Sequence, residues 1–484
     1  MSQNEDLEKI KQLFGYINQE NVSVEEMGKI TNKLKRTFPK LLCQMSECGE
    51  FEAVKKIFEI IKQSDVSKFP YLLCQMSERG ELTVIKQMFA YVKEQNISVV
   101  EMRVKNGKIN QEKKPRLVDS TEVDTLRTPL HIAALFGNHQ VCEYLITAEK
   151  ANLEARDYHN LTALIDASFG NNTEVMRLLL QHNANVKAQD LSGYHAAFGA
   201  ACNGNLDALK MLIDKDRDVV DLKDENGKTP LMAAAERSSI DLIEMLLQHN
   251  ANVKAQDLAG HHAAYRAAWN GHLDALKMLI DKDGDVVELK DEYGKTPLMA
   301  AVIQGWVDVI KLLLQHKANA KAKDISGYHA TYYAAYYGYP DIAKMLIEYD
   351  KDVVDLKDKN GKTPLMVAVE HKRIRVIKLL LQHKVNVKAK DNNGSHAVYY
   401  AAYFGNLDIV KLLIENDGDV IDLKGFNGWT PLFAASRWGK VDVCKYLVEE
   451  KMANINLKDN NGETALQRAR DPLIIKILRR NGAK

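Results

Sequence analysis

The sequence predicts an all-α protein, a solenoid of stacked helix-turn-helix units, and three observations carry that reading. A Thr-Pro-Leu tripeptide followed by alanines opens an apolar stretch at Thr128, Thr229, Thr296, Thr363 and Thr430. Equivalent positions are Thr162, His195, His262, His329, His396 and Thr464, with spacings of 33 and 34 alternating from Thr162 through Thr430. The second half of each block carries leucines and ends before an Asp-x-x-Gly turn. A block of that size has too little core to fold alone, so its apolar faces must be covered by its neighbours.

The elements follow in order. Apolar residues at Leu7, Ile10, Leu13, Phe14 and Ile17 fall on one face of a helix over Asp6 to Ile17. The segment Phe38-Pro39 through Gly49-Glu50 returns as Phe69-Pro70 through Gly80-Glu81. In each copy a proline starts a short helix, a glycine ends it, and an amphipathic helix follows, Phe51 to Ile61 and Leu82 to Val92. Residues 1–97 are therefore expected to form helical hairpins of degenerate repeats. Residues 98–126, which include Lys105, Lys108, Lys113, Lys114 and Arg116, are expected to be a polar, basic linker or loop.

Residues 127–484 then form an array of about eleven units, the last a polar C-terminal cap ending in Arg479, Arg480 and Lys484. Five threonines from Thr162 to Thr430 stand 67 residues apart, as do His195, His262, His329 and His396, so duplication of a two-unit block is the simplest origin. Within one unit, Asp291 to Gly294 sets a turn, Thr296 caps a helix, Pro297 occupies its first turn, and Val307 to Gln315 forms the second helix.

This recurring pattern resembles the ankyrin-repeat family from Arg127 to about Gly482. The resemblance implies helix-turn-helix units with projecting β-hairpin fingers, stacked so that fingers and first helices line a concave face. Alternate units depart from it, since His195-Ala196, His262-Ala263, His329-Ala330 and His396-Ala397 replace Thr-Pro. Those units are expected to lose a cap and to be locally less stable. Asn160 and Asn171 stand where glycine is expected, a place asparagine tolerates.

The family's variable surface positions flank the finger glycine and lie on the first helix. Carried onto this chain, they are most aromatic between Asp324 and Tyr339, where six tyrosines crowd one helix and its flanks. Tyr332 and Tyr399 are expected to pack between units, whereas Tyr328, Tyr333, Tyr336 and Tyr337 are expected to face a protein partner. So are Arg266 and Trp269 in the His262 unit, Tyr400, Tyr403 and Phe404 in the His396 unit, and Trp429, Arg437 and Trp438 in the Thr430 unit. Tyrosine, tryptophan and arginine dominate binding energy at many interfaces because they give large contact area with few rotors.

Other classes are disfavoured. Lysine plus arginine number 66 against 65 aspartates and glutamates, so no net field attracts nucleic acid. The six cysteines lack metal or disulfide spacing. Met1 to Asn21 has no apolar signal core, and no run approaches a membrane span. His182, His249, His316 and His383 end second helices and suit helix C-termini. The pair His261-His262 has no acidic or cysteine companion at ligand spacing in the sequence, so no metal is assigned. No nucleotide-binding, serine-hydrolase or zinc-protease motif is present. The expectation is a cytoplasmic, monomeric scaffold or adaptor that binds proteins and needs no cofactor. An effector or enzyme activity in the N-terminal region, and a self-associating structural protein, are the alternatives.

Overall fold

Threonine, proline and glycine set each unit as the sequence leads one to expect. In the Thr296 unit the threonine hydroxyl accepts from the Met299 amide at 3.4 Å, Pro297 begins the helix Pro297–Gln304, and Gly305 ends it at φ 82°. The helix Val307–Gln315 returns antiparallel and buries Val309, Ile310, Leu312, Leu313 and Leu314. This is a computed structural model, and it describes Leu42 and residues 51–64, 68–95, 97, 100–105, 108–113, 116–121 and 125–484. The expected helix over Asp6 to Ile17 lies outside the described residues, as does all of Phe38 to Glu50 except Leu42. The chain divides into two compact units, Met1–Asn252 and Val253–Lys484.

In the first unit, helices Phe51–Ser64, Lys68–Arg79 and Leu82–Glu94 enclose Phe58, Phe69 and Tyr91, with ring centroids 5.6 to 6.4 Å apart. Helix Lys68–Arg79 packs on the first helix of the array, Pro129–Leu135. Asn138 Nδ2 donates to the Ser77 and Glu78 carbonyls at 2.6 and 2.8 Å. Asn172 repeats that joint one unit later, donating to the carbonyls of Ala134 and Leu135 at 2.8 and 2.7 Å. The pair Lys68–Arg79 and Leu82–Glu94 thus stacks as a repeat. The stretch expected to be a loop contains an antiparallel hairpin instead, Val100–Lys105 paired with Lys108–Lys113. Asn106-Gly107, a strong two-residue hairpin signal, separates the strands in sequence.

The fingers are hairpins closed by backbone bonds. Asp291 N donates to Lys295 O and Gly294 N to Asp291 O, both at 2.9 Å, while Asp291 Oδ1 accepts from the Tyr293 and Lys295 amides. Gly294 sits at φ +77°, and a methyl there would lie 3.1 Å from Asp324 Cα. One backbone bond joins many fingers to the next, as from Ile325 N to Tyr293 O at 2.9 Å. Asn160 and Asn171 do adopt positive φ, 65° and 59°.

The alternation of 33 and 34 has a structural cause. Histidine-type units carry a short 3-10 turn after the second helix, such as Gly284–Val287, where Asp283 Oδ1 accepts from the Asp285 amide at 3.0 Å. The Thr430 unit holds its extra residue differently, in a π-helical segment over Tyr446–Glu450 that lengthens the second helix.

The expected loss of a cap in the histidine units is corrected by the structure. Nδ1 of His195, His262 and His396 accepts from the Phe198, Tyr265 and Tyr399 amides at 3.3, 3.4 and 3.2 Å, taking the place of the threonine hydroxyl. The opposite ring nitrogen does what threonine cannot. Nε2 of His195, His262, His329 and His396 donates to the carbonyls of Leu222, Leu289, Leu356 and Leu423, at 3.0, 3.4, 3.0 and 2.8 Å, in the loop before the next finger. An accepting Nδ1 and a donating Nε2 define the neutral tautomer. Burial pushes all four imidazoles down to about 4. His329 makes only the Nε2 bond, and its buried Nδ1 has no partner. His182, His249, His316 and His383 occupy helix C-cap positions.

Candidate binding face

Each finger of the second unit except that of the Thr430 unit begins with a buried aspartate, and this aspartate decides where several expected contact residues point. Asp324 Oδ1 accepts from the Ser326 and Tyr328 amides at 2.8 and 2.9 Å. Its Oδ2 accepts the Tyr333 hydroxyl at 2.6 Å. One histidine unit later, Asp391 Oδ2 accepts the Tyr400 hydroxyl at 2.5 Å, and one earlier, Asp257 is paired with the Arg266 guanidinium. Arg266, Tyr333 and Tyr400 share one register, four residues after the histidine, and each holds its own finger. Burial and the neighbouring carboxylate both raise the phenol pKa of Tyr333 and Tyr400.

The expectation that these three face a partner is therefore corrected. Tyr333 is buried, and Arg266 and Tyr400 are half-buried with their polar ends engaged. Trp429 also turns inward, its Nε1 donating to Asp459 Oδ2 at 3.3 Å and its ring stacked 5.5 Å from Phe433. The cause is common to all four: a buried carboxylate with an open lone pair draws the nearest donor. His261 lies between Asp257 and Asp291, 3.6 and 3.8 Å from their Oδ2 atoms, so the acidic companions missing from the linear spacing are supplied by two fingers.

The remaining rings form a ridge where first helices end and turn into second helices. Trp269, Tyr336, Tyr337 and Trp438 are exposed there, from 37 to 49 % of their surface. The structure adds Trp306, 44 % exposed, whose Nε1 donates to the Trp269 carbonyl at 2.8 Å. Tyr339 stacks on Tyr337 at 5.9 Å, and Tyr336 contacts Tyr337 at 5.0 Å and His371 at 4.3 Å. Arg373 Nε donates to the Tyr336 carbonyl at 2.9 Å. Farther along, half-buried Tyr403 meets Phe404 at 5.0 Å and Trp438 at 5.1 Å, and the Arg437 guanidinium lies 5.8 Å from the Trp438 ring. Tyr328 is half-buried against Tyr332 at 3.9 Å. Tyr332 and Tyr399 are buried, as expected of packing residues.

Trp306, Tyr339, His371 and Arg373 were missed by sequence reasoning. For Trp306 and Tyr339 the signal was available beside the turn glycines Gly305 and Gly338, and His371 and Arg373 flank Lys372 at the corresponding turn position.

Comparison with known proteins bears on the whole array. A family model described as ankyrin repeats (3 copies) matches residues 73–190, 197–290, 264–356, 349–424 and 417–484. The chain belongs to the ankyrin-repeat family. Among similar ankyrin-matched relatives, Inversin of Canis lupus familiaris is 31% identical over 158 residues, 32% of this chain and 14% of that protein. The putative palmitoyltransferase ZDHHC13 of Danio rerio is 26% identical over 213 residues, 43% of this chain and 32% of that protein. The crystal structure of the ankyrin repeat domain of Bcl-3 aligns at 26% identity with a TM-score of 0.43, covering 46% of this chain and 99% of that one. The matched stretch is a minor part of both curated relatives.

As an ankyrin array, the chain has its family match beginning at residue 73, inside the stacked pair Lys68–Arg79 and Leu82–Glu94, so this pair is continuous with the array in sequence as well as in packing. No group of three or more potential metal ligands gathers among the described residues. No described helix is long and apolar enough to cross a membrane.

Proposed function

We propose that this ankyrin chain is a non-catalytic scaffold or adaptor whose protein partner docks along the aromatic ridge, on the finger and first-helix side that the family likeness makes concave. The observation that supports it most is the set of exposed rings, Trp269, Trp306, Tyr336, Tyr337 and Trp438, carried at the same turn on the His262, Thr296, His329 and Thr430 units of Val253–Lys484. Isolated exposed apolar residues need no explanation, but rings gathered in mutual contact, as at Tyr336, Tyr337 and Tyr339 and again at Tyr403, Phe404 and Trp438, mark an interaction site. Because Arg266, Tyr333, Tyr400 and Trp429 hold the fingers, the ridge is presented on a fixed frame, which limits the entropy cost of binding. Arg437, Tyr403 and Phe404 complete its far end, and Tyr328 supports its centre from below.

The array of residues 127–484 acts in this reading as a monomer in the cytoplasm, without cofactor or nucleic acid. The test is capture of partner proteins by the full chain and by a variant with Trp269, Tyr336, Tyr337 and Trp438 changed to alanine. Loss of capture with an unchanged circular dichroism spectrum is expected. Equal capture by the folded variant removes the ridge from the mechanism. Light scattering across concentration tests the monomer, and cell fractionation the location.

A further inference from the structure

One unit breaks the pattern of its sisters where the ridge passes over it. At intervals of 67 residues the turn between helices reads Arg237-Ser238-Ser239-Ile240-Asp241, Gln304-Gly305-Trp306-Val307-Asp308, His371-Lys372-Arg373-Ile374-Arg375 and Trp438-Gly439-Lys440-Val441-Asp442. The second helices of the sister units carry Asp241, Asp308 and Asp442 in their first turn, where a negative charge suits the positive end of the helix dipole. Helix Ile374–Gln382 has no acid there and carries Arg375 instead. Lys372 moreover takes φ 57° at a position that is glycine in two sisters, Gly305 and Gly439. Both choices are locally unfavourable, and both place a cation on the same spot.

The spot is open and set among rings. Lys372, Arg373 and Arg375 are exposed. Arg373 is fixed by its bond to the Tyr336 carbonyl, and His371 lies against the Tyr336 ring. The nearest acid in sequence, Glu370, is engaged by Lys362 Nζ at 2.7 Å. No carboxylate lies within ion-pair distance of Lys372, Arg373 or Arg375 among the described residues. The flanking helices keep Asp341 and Asp408, so the sign change is confined to this unit.

Resting on the ridge reading above, we infer that the segment docked here is an acidic peptide, whose carboxylates meet Lys372, Arg373 and Arg375 while an apolar side chain packs on Tyr336 and Tyr337. Guanidinium groups bind carboxylates in a planar, two-bonded geometry, and aromatic neighbours exclude water from such pairs. Charge on a ridge also selects among partners that share an apolar anchor.

The experiment is selection of a random displayed-peptide library on the immobilised full chain, followed by fluorescence anisotropy of the enriched peptides. The expected winners carry several Asp or Glu residues beside an apolar anchor, and bind more weakly as salt rises. The double variant Lys372→Gly, Arg375→Asp restores residues that the sister units fold with, and should weaken them by about tenfold. Neutral or basic winners, or acidic winners that bind the double variant equally well, overturn the inference. Non-acidic winners lost on Trp438→Ala leave the ridge reading standing while this one falls. Failure to enrich any peptide sensitive to ridge substitutions counts against both. A labelled single-stranded oligonucleotide that displaces the peptides and needs Arg375 would reassign the spot to nucleic acid.

Discussion

Acidification from about pH 7.5 to about pH 5 should loosen this protein at four defined joints, those closed by His195, His262, His329 and His396. Each imidazole is buried and held near a pKa of 4, against 6.5 for the same group in an unfolded chain. Between those values the unfolded chain binds more protons than the folded one, so stability rises with pH across the window. It is complete above about 6.5 and lost as pH falls toward 4. At about pH 5 the loss is about 2 kcal/mol per joint, and about 8 kcal/mol for four, comparable with the whole stability of an ordinary domain. The geometry gives the reason: a proton on Nδ1 would point at the amide that Nδ1 accepts from in three of the four sites. Nearby charges are few and of both signs, His261 and Asp257 at His262, Lys323 and Asp324 at His329, Lys390 and Asp391 at His396. The perturbation is His396→Thr, which keeps a cap of the kind seen at Thr296 but cannot titrate. Urea unfolding followed by circular dichroism should show a pH-dependent loss about 2 kcal/mol smaller in the variant. Comparing variant with parent also cancels Asp166, whose burial raises its carboxyl to about 7 and works in the opposite direction. The same loss in both proteins, or imidazole NMR signals titrating near their ordinary value, would refute the reasoning.

Two further outcomes follow from the fingers. Tyr333→Phe removes the hydroxyl from Asp324 and should lower stability by about 2 kcal/mol in urea unfolding, because a buried carboxylate oxygen is left without its donor. Gly294→Ala forces a methyl against Asp324 Cα in a left-handed conformation, and should cost about 1 to 2 kcal/mol, read as a lower thermal midpoint.

The array was legible because its signals are local. Thr296, Pro297 and Gly305 act within one unit, and period alone then dictates stacking. Candidate site residues were legible only by register. The register correctly placed Trp269, Tyr336, Tyr337 and Trp438 in the open, but it put Tyr333 there too. What pulls Tyr333 inward is the free lone pair on Asp324, a demand that a position-by-position comparison does not contain. The histidine caps were hidden for a similar reason. Threonine-to-histidine looks like a lost cap until the Leu423 carbonyl, brought beside His396 by the folded unit, takes the Nε2 proton and leaves Nδ1 free to accept from the Tyr399 amide. The hairpin of Val100–Lys105 and Lys108–Lys113 was signalled by Asn106-Gly107, but its strands are too polar to show the usual alternation.

Along one edge of Val253–Lys484 a lysine at each of five successive finger bases donates to the carbonyl of the next: Lys290 to Lys323 at 3.0 Å, Lys323 to Lys357 at 2.7 Å, then Lys357 to Lys390, Lys390 to Lys424 and Lys424 to Lys458. Lys254, Lys321 and Lys388 each clasp two aspartates of the following turn in the same recurring way. Every clasp joins a residue to one about a repeat ahead, and the same donor and acceptor positions recur at 67-residue intervals, as at Lys290 and Lys357 or Lys321 and Lys388. A block copied during recombination therefore arrives with a donor for the block ahead and an acceptor for the one behind. The molecule can be lengthened or shortened by whole blocks with these joints complete, so its reach is a heritable quantity that can change in a single step.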